Sequence, residues 1–78
     1  MNESIKTLDV RDDLIQGREP FDRIMAFVAE LHANEPWRLL ATFRPDPLIG
    51  LMGGRGYQSE AAEWEDGTWA VTFTPRSA

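Results

Sequence analysis

Polar and apolar positions divide the chain into six elements. Residues 5–10, IKTLDV, alternate, with Lys6, Leu8 and Val10 on one side and Thr7 and Asp9 on the other. That period of two predicts a short strand. From residue 20 to 32 the period changes: Phe21, Ile24, Met25, Val28 and Leu31 recur at helical spacing. Pro20 suits the first helical position, and Asp22 in the first turn and His32 in the last complement the helix dipole. ANEP, residues 33–36, stops this helix, because Pro36 cannot continue it. WRLLATF, residues 37–43, is apolar nearly throughout, as a central strand should be. After RPDP, with Asp46 expected as N-cap and Pro47 at the first helical position, a short helix should bury Leu48, Leu51 and Met52. Gly56 closes it in a left-handed conformation. A hairpin completes the order, YQSEAAEW and TWAVTFTP around an EDG turn, with Trp69, Val71 and Phe73 on one face.

The order is β-α-β-α-β-β. A strand–helix–strand connection within one sheet is right-handed and its strands are parallel. Two helices cannot cover both faces of four strands. The expected fold is therefore an α/β (α+β) two-layer sandwich, a four-stranded mixed sheet with both helices on one face. The other face is left open. Arg38 and Thr42 suit a wet surface there; Leu40 and Trp64 do not, and an apolar patch on it would mark a partner or dimer surface. All 78 residues fit one domain with an ordered core at about 5–75.

Composition narrows the function more than it identifies one. With no cysteine there is no disulfide, thiolate nucleophile or cysteine-bound metal, and the fold must rest on its apolar core. The first ten residues lack an apolar signal-peptide region, and no apolar run reaches the ~20 residues of a membrane span. A soluble cytoplasmic protein is expected, without membrane association. A net charge of −5 argues against nucleic acid.

Taken together, LDVR (8–11), GREPFDRI (17–24), FRPDPLIGLM (43–52), RGY (55–57) and WAVTF (69–73) resemble a bacterial family of unknown function grouped with the TusA/SirA-like sulfur-carrier proteins. The likeness runs from about Leu8 to Pro75 and implies the same β-α-β-α-β-β sandwich. In the sulfur carriers a Cys-Pro pair opens the first helix, and its cysteine carries a persulfide at the helix N-terminus, where the dipole favours a thiolate. The matching pair here is Glu19-Pro20, so persulfide transfer by this chain alone is excluded.

Parallel strands put the segments after the first and second strands at one rim. Residues 11–19, expected as a loop, and residues 44–46 would meet there. Arg11, Arg18 and Arg44 would lie beside two helix N-termini, with Glu19, Pro20 and Pro45. One reading is a non-catalytic binding module holding a protein partner or small anion at this rim. The competing reading is self-neutralisation: Glu19 and Asp46 cap the helices while Asp9, Asp12 and Asp13 pair with the arginines. An enzymatic alternative makes Glu19 an acid/base with arginines holding an anionic substrate. Glu19 bonded to its own helix's N–H groups would mark it as a cap instead. In solution a monomer or weak homodimer is expected, the latter through Leu40 and Trp64 on the open face. No other residue offers a catalytic role, a cofactor site or a metal site. His32 lacks companion ligands, and Glu60, Glu63, Glu65 and Asp66 read as a solvated edge. GLMGGRG lacks phosphate-loop spacing.

Overall fold

The computed structural model describes residues 5–32 and 35–76. Its elements are β1 (Lys6–Asp9), α1 (Arg11–Ile15), α2 (Phe21–Ala29), β2 (Trp37–Ala41), α3 (Asp46–Gly54), β3 (Tyr57–Glu63) and β4 (Trp69–Pro75). The four strands form one mixed sheet in the order β1-β2-β4-β3. β1 and β2 are parallel, with Leu8 opposite Leu39. β4 runs antiparallel to both β2 and β3. The near-continuous apolar β2 is an interior strand, as its composition predicts, and the acidic β3 lies at an edge, where charge discourages pairing with other chains.

The register builds the core. Leu8, Leu39 and Val71 form one row across the sheet. Trp37 and Phe73 stack in the next, with centroids 4.6 Å apart. Ile24 of α2 and Leu48 and Met52 of α3 join these residues in a single buried cluster, so α2 and α3 cover the same face. Phe27, outside the expected helical stripe, tilts against Trp37 at 5.5 Å.

Several local expectations are corrected. Residues 11–19 are not all loop, because α1 makes a third helix. Asp12 and Asp13 stand in its first turn, where the dipole favours them, and Leu14 packs on the core. The helix expected over 20–32 spans only Phe21–Ala29, with Pro20 as its N-cap residue instead of its first helical residue. Its end tightens, Glu30 N–H bonding Phe27 O and Leu31 N–H bonding Val28 O. His32 therefore lies beyond the last turn, and its N–H donates to Glu35 Oε1. Ala33 and Asn34 of the expected stop signal lie outside the described residues. Asp46 is not a cap: Pro45 holds that position, Pro47 is one step further into α3, and the Asp46 carboxylate pairs with Arg44. Gly56 has φ +95° and bonds back to Gly53 O, closing α3 as expected.

Candidate functional site

Because β1 and β2 are parallel, the chain leaves both at the same edge. Val10 N–H extends the ladder by one bond to Leu40 O, and α1 starts immediately after it, with Leu14 N–H bonding Val10 O. At the end of β2, Phe43, Pro45 and Pro47 lead into α3. A groove of about 240 Å³ lies between these segments. Val10, Leu39 and Ala41 contribute to it from the sheet. Leu14, Pro20, Phe21 and Ile24 line it from the α1–α2 side, and Phe43, Pro45, Pro47, Leu48 and Leu51 from the α3 side. Glu19 is the one lining residue with an ionisable side chain.

Much of this apolar surface faces water. Phe21 is 46% exposed, Phe43 52% and Leu51 37%, so Leu51 is not buried with Leu48 and Met52 as its spacing suggests. Three large apolar side chains left in solvent around one concavity are the usual mark of a binding surface. The strand expected over 37–43 ends at Ala41, which leaves Phe43 beyond it, just before Pro45 and Pro47.

The rim's arginines are each engaged by a neighbouring acid. Arg11 donates from Nε and Nη2 to the two Asp9 carboxylate oxygens at 2.9 and 2.7 Å, and from Nη1 to Thr68 Oγ1 at 3.0 Å. Arg11 thereby ties the end of β1 to the start of β4. Arg18 donates to Asp13 Oδ1 at 3.0 Å and to Gln16 Oε1 at 2.7 Å. Arg23 of α2 takes the other Asp13 oxygen, and Arg44 Nε lies 2.8 Å from Asp46 Oδ1. Of the residues placed at the rim, Glu19, Pro20 and Pro45 line the groove; Arg11, Arg18 and Arg44 do not. Glu19 Oε1 accepts the Phe21 N–H at 2.7 Å, a bond to its own helix, so the side chain acts as a cap. Among the described residues no three His, Cys, Asp or Glu side chains gather as a metal site.

These pairings shift the acids. The Arg11 guanidinium bonded to Asp9 holds that carboxyl below its usual range and raises Arg11 in turn. Asp13 is lowered by Arg18 and then by Arg23. Asp66 is lowered by the Thr68 N–H, and Glu35 by the His32 N–H. A carboxyl depressed in the folded state binds fewer protons there than in the unfolded chain, so it stabilises the fold above the unfolded value and loses that effect as pH falls through the folded one. Thermal melts should therefore be flat from about pH 7 to 5 and fall steeply below about pH 4. Asp13→Asn should lower the melting temperature at neutral pH and make the acid limb shallower. A limb unchanged in that variant would show that the Arg18–Asp13–Arg23 cluster contributes nothing.

Residues 7–75 match the family described as an uncharacterized conserved protein, DUF2249. No curated protein and no solved structure matches the chain.

Proposed function

We propose, from the premise that the chain belongs to the uncharacterized conserved family DUF2249, that it is a non-catalytic binding module whose rim groove receives an apolar segment of a protein partner. The observation that carries this reading is the groove itself, with Phe21, Phe43 and Leu51 exposed around it. A small anion is the weaker ligand, because an acid engages each rim arginine and the groove is apolar. The Phe21 N–H bonded to Glu19 favours a capping role over the acid/base role of the enzymatic reading.

Kinship to the sulfur carriers belongs to the same proposal. The strand–helix order and the Glu19-Pro20 pair at the helix entrance support it. So does the position of the groove, against the helix end where those carriers present their cysteine. A chain with no cysteine at that position can keep the docking surface without the transfer chemistry. A cytoplasmic partner in sulfur, metal-centre or redox metabolism follows from the kinship. No described helix is long and apolar enough to cross a membrane.

Affinity capture from the native cell tests the reading with three baits: the unaltered chain, Phe43→Asp, and the double variant Arg18→Ala/Arg44→Ala. A charge placed in an apolar anchor position should cost about 2 kcal/mol or more of binding, roughly a thirtyfold loss. The main captured protein should therefore disappear with Phe43→Asp and persist with the arginine variant. The reverse pattern would return the site to the anionic reading.

A further inference from the structure

The second concavity lies on the opposite face of the sheet and is independent of the rim. Register places Arg38, Thr72 and Glu60 in one row across β2, β4 and β3, and Leu40, Ala70 and Ala62 in the next. No helix covers these positions. Trp64, one residue past β3 on the same side of its alternation, is 44% exposed and borders the two alanines. Together Arg38, Glu60, Ala62, Trp64, Ala70 and Thr72 line a groove of about 310 Å³.

Three features of this face identify its occupant. It carries a large apolar knob, Trp64, beside a shallow hollow over small side chains, Ala62 and Ala70. It also carries one charge of each sign. Arg38 donates to Thr72 Oγ1 at 3.3 Å, and among the described residues neither Arg38 nor Glu60 has an ion-pair partner. Two strand spacings, about 10 Å, separate their backbones. Finally, Asp9, which alternation puts on this side of β1, is paired with Arg11.

We propose that this face joins a second copy of the chain in a two-fold dimer. A two-fold contact sets one patch against itself, so each feature must find its complement on the same surface. Here Arg38 of each copy pairs with Glu60 of the other across an axis along β4, which brings Trp64 of each beside Leu40 of the other. The net charge of −5 opposes association of copies, but Arg38 and Glu60 are of opposite sign, and repulsion among the remaining surface charges is screened by salt. The rim groove, on the helix-covered side, stays open in the dimer.

Analytical ultracentrifugation with charge reversal tests the proposal. The unaltered chain should sediment as two copies, and Arg38→Glu and Glu60→Arg should each sediment as one, because each then sets like charges together. An equimolar mixture of the two variants should recover the two-copy mass, since both cross-pairs become complementary again. Circular dichroism of each variant confirms that it is folded. Trp64→Ala should also give one copy. A single-copy mass for the unaltered chain overturns the proposal. So does a two-copy mass that survives both reversals, or a mixture that stays at one copy.

Discussion

Trp37→Ala should leave the protein largely unfolded at physiological temperature. Trp37 is fully buried, stacked on Phe73 and tilted against Phe27, so it joins β2, β4 and α2 at one point. Removing a buried ring of this size costs about 3–5 kcal/mol. A chain of 78 residues holds on the order of 4–12 kcal/mol in total. Trp37→Phe should be far milder than its loss of volume suggests. Trp37 Nε1 is buried with no hydrogen-bond partner among the described residues, and an unsatisfied buried N–H costs about 1–3 kcal/mol. Phenylalanine gives up part of the stacking and removes that penalty, for a net change within about 2 kcal/mol. Urea unfolding of both variants checks the pair. A Trp37→Phe loss well above about 2 kcal/mol would mean that the indole nitrogen carries no penalty.

Leu39→Ala comes next in expected size, and it links stability to the groove. Leu39 is 1% exposed, sits between Leu8 and Val71 in the core row, and also lines the groove. Leucine-to-alanine changes at enclosed sites cost about 2.7–5 kcal/mol, rising with the cavity left behind. At Leu39 the new space opens into an existing groove, where surrounding side chains and water can enter, so the lower end applies. A loss of about 2–3 kcal/mol lowers the melting temperature of a domain this size by roughly 10–20 °C. The same change deepens the groove and should weaken partner capture beyond what the lost stability explains. Calorimetry and capture together separate the effects. A large stability loss with capture unaltered would show that the deep part of the groove touches no ligand.

The architecture was readable because the first and last strands alternate, the long helix repeats its own period, and the central strand is apolar nearly throughout. α1 was not, because RDDLI is a single turn and a half, too short to show a helical period, and its helicity depends on Leu14 packing on the core. The rim was legible from strand direction alone. Its chemistry was not, because charge drew attention to the arginines while Phe21 and Leu51 matched helical spacing and so read as core. Nothing in the sequence specifies that Asp13 is shared by Arg18 and Arg23, a pairing that needs α1 and α2 folded against each other. Phe43 was read as the last residue of the central strand, which in the structure ends at Ala41 and leaves that ring at the groove.

Cross-linking inside the native cell is the most direct measurement of the central claim, that the rim groove is the docking surface. A photoreactive phenylalanine analogue placed at position 43 should give one dominant covalent adduct with a protein partner. The same analogue at position 15, where Ile15 is 71% exposed outside the groove lining, should give much less of it. Equal adduct from both positions, or none from position 43, would contradict the account.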